Sequence, residues 1–406
     1  MGITNIKKQL QAVPQGVWAL GFVSMFMDIS SDFINSLLPL YMSSVLGASV
    51  IFIGLIEGIA EALVLITKIF SGVLSDFIKK RKILTVFGYG LSACSKLIFP
   101  LASSLGLVVV ARIIDRLGKG VREAPRDALM GELAPASIRG MCFGLRQSLD
   151  NVGAFIGPSL ALIVMLLFVN NFRSLFWIAV IPAFLSVIFL IIGVDEPKKD
   201  GWKSQPTKLS LKEIGNLSPR YWLVVAIATA LMFARFSQAF LILRATTVGM
   251  SFAMTPLVII IMNIMSASSA YYVGYLSDKM NRLFFIVAGF VVLIASDVIL
   301  GYASNPWHLI AGVTLWGFHI GLTQGVFDTL IVDTTESHIR GSAFGIFNFI
   351  CGIALIISNV VAGWFWQRYN PATTFFVGAG FTIVALIFFV IKLWINHSKA
   401  LKSHTI

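Results

Sequence analysis

The sequence predicts an all-α membrane protein whose twelve transmembrane helices form two pseudo-symmetric six-helix bundles. Three observations carry that prediction. Of 406 residues, 57% are apolar and 12% charged, with 33 Phe and a mean hydropathy of +0.87, whereas soluble chains are about half apolar and a quarter charged. Apolar segments of roughly 20 residues, the length that crosses a hydrocarbon core, recur along the whole chain. Motifs of the first half return 201 or 202 positions later in the second.

The first segment, 17–41, follows the polar, mildly basic lead-in MGITNIKKQLQAVPQG, which lacks the small-residue cleavage site of a signal peptide. The second, 50–74, runs into the basic cluster Lys79, Lys80, Arg81 and Lys82, and the third covers 83–103. The fourth, 105–127, holds most of the buried charge. The fifth, 140–168, contains GAFIGP, Gly153 to Pro158, and the sixth spans 173–194. Asp195 to Pro219 is the one long polar stretch, so it divides the chain. Segments 221–245, 252–276, 283–302, 307–331, 341–366 and 371–393 complete the second half. The expected domains are an N-terminal bundle over 1–194, a cytoplasmic linker over 195–220, a C-terminal bundle over 221–394 and a cytoplasmic tail over 395–406.

Placing both termini inside collects 19 of the 31 Lys and Arg in cytoplasmic stretches and leaves Arg173, Arg244 and Arg368 in the outer loops. That asymmetry sets the topology, so the formal charge of +12 is topology signal and no nucleic-acid partner is expected. Cys94, Cys142 and Cys351 fall inside spans and match no metal-ligand or redox spacing; buried packing is their expected role, with no metal and no cofactor. The chain has no Gly-x-x-x-x-Gly-Lys-Ser/Thr loop, no His-Glu-x-x-His set and no selectivity-filter repeat. An ATP-driven pump, an intramembrane enzyme and a channel are therefore poor readings.

Within the repeat, SGVLSDFIKKRK, Ser71 to Lys82, returns as VGYLSDKMNRLF, Val273 to Phe284. DALMGELAPASIRG, Asp127 to Gly140, returns as DTLIVDTTESHIRG, Asp328 to Gly341, and VLG at 45–47 as TVG at 247–249. Repeated helix bundles are how secondary transporters build two halves around a site. Gly72, Asp76, Lys80 and Arg81, echoed by Gly274, Asp278 and Arg282, resemble the loop motif of the major facilitator superfamily. Lys79 and Asn281 stand where that motif has its second glycine. Arg112, Gly118, Gly120, Glu132 and Pro135 resemble the family's fourth-span signature, with Arg116 at a glycine position, and GAFIGP is similar to its proton-antiporter signature. MDISSDF, GLIEGIAEA and DRLGKGVREAPRDAL look like a bacterial branch with mostly unassigned substrates. The resemblance covers essentially the full length. It implies a monomeric, multi-pass transporter of the bacterial inner membrane, working by alternating access on a small-molecule substrate with protons as coupling partner in the lipid bilayer.

A charge at mid-bilayer is costly and normally faces the bundle interior or a water-filled path. Asp28, Asp32 and Asn35 share one face of the first helix, and Arg112, Arg116, Lys119 and Glu123 share one face of the fourth. In the family these two helices line the cavity. A carboxylate that trades an arginine partner for a neighbouring acid changes its hold on a proton. Proton coupling is accordingly expected at Asp28 and Asp32, with Glu57, Glu61 and His319 as further candidates. Substrate contacts are expected from Arg112, Arg116, Lys119 and Asn35, and from Arg235 and Gln238 in the seventh span, because guanidinium offers a planar fork to carboxylate or phosphate. The resemblance implies gating by Asp76, Lys80 and Asp127, with Asp278, Arg282 and Asp328 as their echo, and close helix packing at Gly72 and Gly274. These features favour symport of a small organic anion such as a polycarboxylate or a carboxylate-type siderophore. The rival is a proton-coupled exporter of drugs or metabolites.

Overall fold

A computed structural model describes residues 12–78, 80–168, 172–196, 217–277, 280–336 and 339–403. Among these residues all regular structure is helical: α1 Gln15–Leu40, α2 Val50–Ile78, α3 Arg81–Leu101, α4 Leu105–Leu133, α5 Arg139–Leu167, α6 Phe172–Gly193, α7 Pro219–Ala234, α8 Ala239–Thr247, α9 Pro256–Ser277, α10 Arg282–Tyr302, α11 Pro306–Thr334, α12 Arg340–Arg368 and α13 Pro371–Ser403. Eleven spans, counting α7 and α8 as one, are long and apolar enough to cross a membrane. The twelfth long helix is α4, which carries Arg112, Asp115, Arg116, Lys119, Arg122, Glu123, Arg126 and Asp127.

Local signals set the ends. Ser104 caps α4 by accepting from the Leu107 amide, and Asn305, 201 positions on, caps α11 by accepting from the Trp307 and His308 amides at 3.0 Å. Pro39 removes a backbone donor near the end of α1, which finishes in a π-helical turn over Tyr41–Val45. The chain then turns at Gly47 with φ of 65°, and the second half repeats the device at Gly249 with φ of 86°. A side chain would be strained at either position.

Two compact units emerge. The first comprises the described residues of Met1–Ala48, Ile59–Lys208 and Ser251–Ile260; the second, those of Ser49–Gly58, Leu209–Met250 and Ile261–Ile406. In the first, α1 packs on α5 and α6, and α3 on α4 and α6, around Val17, Leu20, Met27, Tyr89, Leu129 and Cys142. In the second, α10 packs on α11 and α13, while α7 rests on α12 and α13. Phe70, Phe77, Leu167, Ile192 and Val384 point outward, as lipid-facing residues of a bundle should.

Two expectations are corrected. Cys142 and Cys351 are buried, but Cys94 is exposed. The seventh span, read as one helix, is interrupted at 235–238. No proline or glycine marks that break. Instead α12 inserts side chains into it: Asn359 Oδ1 accepts from the Ser237 amide at 2.7 Å, and Ser358 Oγ donates to the Phe233 carbonyl at 3.0 Å. Insertion of a side chain into the backbone ladder is a recognised cause of a broken helix.

Candidate functional site

The charges of α4 are distributed along a ladder in the first unit. Arg112 and Arg116 converge on one atom, the Oδ1 of Asn35, at 2.5 and 2.9 Å; all three residues are buried. The Asn35 Nδ2 in turn donates to Asp32 at 3.1 Å. A single neutral amide on α1 thus links the arginine pair to the acid face. Asp115 bonds Lys96 of α3 at 2.9 Å and lies 3.9 Å from Arg116. Further along, Arg122 donates to Ser92 at 2.6 Å and stacks 4.7 Å from the Tyr89 ring centroid. Lys119 sits 3.9 Å from Glu123, which Lys68 also holds at 3.1 Å.

The two α1 acids lie along the seam with α5. A Cβ at Gly153 would stand 2.6 Å from the Met25 carbonyl and 3.1 Å from the Asp28 Cβ; one at Gly157 would stand 2.6 Å from the Ile29 carbonyl and 3.3 Å from the Asp32 Cβ. The GAFIGP glycines therefore allow the two backbones to touch, with Asp28 and Asp32 directly over them. Glu57 is buried within the second unit and Glu61 is half-buried within the first.

In the second unit the broken segment carries Arg235 and Gln238, both half-buried. Phe236 between them enters an aromatic cluster, with ring centroids 5.3 Å from Phe240 and Trp316 and 5.4 Å from Phe375. His319 of α11 is buried and donates from Nδ1 to the Gly289 carbonyl at 3.0 Å. Asp297 of α10 was not among the expected site residues. It is fully buried, and neither carboxylate oxygen has a hydrogen-bond partner among the described residues.

Where α2 ends, α3 begins and α4 ends, Asp76 bonds Arg81 at 3.0 Å and Arg81 also bonds Glu132 at 3.0 Å. The Arg81 and Lys82 amides donate to Glu196 at 2.8 and 2.9 Å, anchoring the chain just after α6. Lys80 is exposed, and Asp127 pairs with Arg126 at 3.0 Å and with Arg146 at 4.0 Å. In the second unit Arg282 pairs with Asp333. Arg81 and Arg282, like Glu132 and Asp333, stand 201 positions apart, so the two halves share this cross-link. Asp278 and the side chain of Asp328 lie outside the described residues. A Cβ at Gly72 would meet Ala124 at 3.5 Å, an ordinary packing contact, whereas one at Gly274 would stand in open space.

Helical spacing put Asp28, Asp32 and Asn35 on one face and the family resemblance turned that face toward the fourth helix; in the structure Asn35 accepts from Arg112 and Arg116 and donates to Asp32. Neither assigned a site role to Lys96, Asp115, Asp333 or Asp297, and Glu132 entered only as part of the fourth-span signature, yet the 201-residue offset relates Lys96 to Asp297 as it relates Glu132 to Asp333.

Comparison with known proteins follows the same lines. The family model of the Major Facilitator Superfamily matches residues 20–358 and again 245–404. An uncharacterized MFS-type transporter of Methanocaldococcus jannaschii is 30% identical over 91% of this chain and 93% of its own length. A staphyloferrin B transporter of Staphylococcus aureus is 25% identical over 92% of this chain and 93% of its own. Among solved structures, a mutant of the nucleoside transporter NupG superposes with a TM-score of 0.77 at 16% identity, covering 92% of this chain and 99% of that one. A POT family transporter in complex with 5-aminolevulinic acid superposes at 0.78 and 14% identity, covering 93% and 96%. With a multi-pass helical fold, a matching family model and homologues along nearly its whole length, the chain belongs to the Major Facilitator Superfamily, a family of transporters.

Proposed function

We propose that this protein is a proton-coupled secondary transporter that carries a small organic anion across the bacterial inner membrane by alternating access. The observation that carries this reading is the convergence of Arg112 and Arg116 on the single amide oxygen of Asn35. Two guanidinium groups in one buried place form a fork for a carboxylate. A neutral amide can yield its place to an anionic group without stranding a charge of its own. Asp32, tied to the same amide, and Asp28 one turn before it are the proposed proton carriers, with Glu57, Glu61 and His319 as secondary groups. Lys119, Arg235 and Gln238 complete the proposed cargo contacts.

Similarity to a staphyloferrin B transporter adds weight to a cargo of that class, so a carboxylate-type siderophore or a polycarboxylate is the first anion to test. The proposed division is a bundle over 1–194, a linker over 195–220 and a bundle over 221–394, acting as a monomer. The basic residues support cytoplasmic termini. Gating is assigned to the inner ends, at Gly72, Asp76, Lys80 and Asp127 and at Gly274, Asp278, Arg282 and Asp328. Export by proton antiport is the second reading, favoured by the close seam at Gly153 and Gly157.

The test is uptake of an anion panel into proteoliposomes, with pH gradient and membrane potential set separately. Wild type should show saturable, proton-driven uptake, Arg112→Gln should reduce it at least tenfold, and Asp28→Asn should uncouple it from the pH gradient. Expulsion of a cationic dye with no anion uptake would transfer the assignment to the antiporter reading.

A further inference from the structure

Asn35 is a neutral side chain engaged at both ends by charged ones. Its Oδ1 accepts from Arg112 at 2.5 Å and from Arg116 at 2.9 Å, and its Nδ2 donates to Asp32 at 3.1 Å. An amide so placed defines what a ligand replacing it must offer: an acceptor toward the two guanidinium groups and, close beside it, a donor toward the carboxylate. In an amide those two atoms share one carbon and stand about 2.2 Å apart. In an α-amino acid one further carbon separates the carboxylate oxygens from the ammonium nitrogen, the shortest step from a neutral amide to a zwitterion. Each contact, already charged on the protein's side, then becomes charged on both.

The relay is not a packing requirement of the fold. The repeat that reproduces the cross-link of Arg81 and Glu132 as Arg282 and Asp333 carries Arg112 to Val313 and Arg116 to Gly317 at an offset of 201, and Asp32 to Ala234 and Asn35 to Ser237 at an offset of 202. The second half builds the corresponding helices with none of these charges. The first unit therefore holds two guanidinium groups, an amide and an acid together for a purpose other than holding helices.

Charge balance narrows the ligand. Lys96 holds Asp115 at 2.9 Å, so around the Asn35 amide two arginines face the single acid Asp32. The ligand that balances them carries one more negative charge than positive. A plain dicarboxylate in the same place would give the half-buried Asp32 a like charge and no donor, and loss of a hydrogen-bond partner is costly away from water.

We propose that the cargo recognised at Arg112, Arg116 and Asp32 is an anionic amino acid, one ammonium with two or more carboxylates, whose α-carboxylate takes the place of the Asn35 amide on the arginines and whose ammonium takes its place on Asp32. The inference rests on the reading of this site as an organic-anion carrier. Asp28, one turn before Asp32, is left to the coupling proton.

The test compares ligands that differ by one group. Full-length protein in detergent is titrated with succinate against L-aspartate, with glutarate against L-glutamate, and with N-acetyl-L-aspartate, which keeps both carboxylates and loses the cation. Binding is read from thermal stabilisation and from counterflow in proteoliposomes, which needs no proton gradient. Wild type should bind each amino member about tenfold or more tightly than its plain dicarboxylate, and N-acetyl-L-aspartate no better than succinate. Arg112→Gln should weaken both series alike, whereas Asp32→Asn should weaken the amino members alone and bring the two series within about twofold of each other. Asn35→Ala removes the competing amide and neither charge, so it should keep the preference; with the wild-type series it decides the matter if Asp32→Asn does not fold. Plain dicarboxylates bound as tightly as their amino partners, or a preference that survives Asp32→Asn, would overturn the amino-acid assignment and leave the organic-anion reading standing. Binding of another anion of the panel through Arg112, with neither series bound, would do the same. If no anion binds at all, that reading and this inference fall together.

Discussion

Lys96 and Asp115 have side-chain exposures of 1% and 3% and stand 2.9 Å apart, so their charges meet almost entirely out of water. Removing one member of such a pair strands the other and costs about 3–5 kcal/mol, whereas replacing both with apolar groups of similar volume is often neutral. Arg116, 3.9 Å from Asp115, partly compensates the acid when the lysine is lost. Lys96→Met is therefore expected near the lower figure, about 3 kcal/mol, and Lys96→Met with Asp115→Leu should recover most of the lost melting temperature. A double-mutant cycle of thermal unfolding checks this; a double variant as unstable as the single would show that the pair is not the stabilising unit. Helical spacing groups Arg112, Arg116, Lys119 and Glu123 on one face because residues three and four apart are neighbours. It is silent about Lys96, whose partner lies on another helix, and about Asn35 as the atom on which two guanidinium groups meet.

Element boundaries were largely legible, since apolar runs mark where membrane-length helices start and stop. The interruption at 235–238 was not legible, because its cause lies in the side chains of Ser358 and Asn359 on α12. The only local trace is the polar set Arg235, Ser237 and Gln238 within an apolar run. Asn359 also anchors itself, donating from Nδ2 to its own helix at Leu355 at 2.8 Å, so its amide is held ready to receive the Ser237 N–H. Replacing it with Leu leaves that buried donor unsatisfied, at a cost of about 1–3 kcal/mol. Hydrogen exchange should accelerate in peptides covering 231–240 in Asn359→Leu, with α1, α3 and α4 unchanged. Unaltered protection at the break would mean that packing of Phe236, not the Asn359 amide, maintains it.

Across the whole molecule the repeat is the most informative feature of the sequence, because it assigns partners that no single motif names. Arg81 with Glu132 in the first unit and Arg282 with Asp333 in the second are the same cross-link from the start of one helix to the end of the next. The loop motif includes both Lys80 and Arg81, and the resemblance assigned gating to Lys80 with Asp127; in the structure Arg81 pairs with Asp76 and Glu132. The two copies differ in burial: Arg81 and Glu132 are 6% and 14% exposed, Arg282 and Asp333 26% and 50%. An exposed pair contributes about 0–1 kcal/mol to stability, so in the second unit a gating role can be separated from a structural one. Arg282→Ala should leave the melting temperature within a few degrees of wild type while lowering the maximal rate of cargo flux several-fold, with little change in apparent affinity. Exchanging the charges, Arg282→Asp with Asp333→Arg, should restore the rate if attraction between the two ends is what times the conformational cycle. A flux that is unaffected by Arg282→Ala would confine the cross-link to holding α10 against α11, and would leave the buried Arg81 copy as the only candidate for a gate among these two pairs.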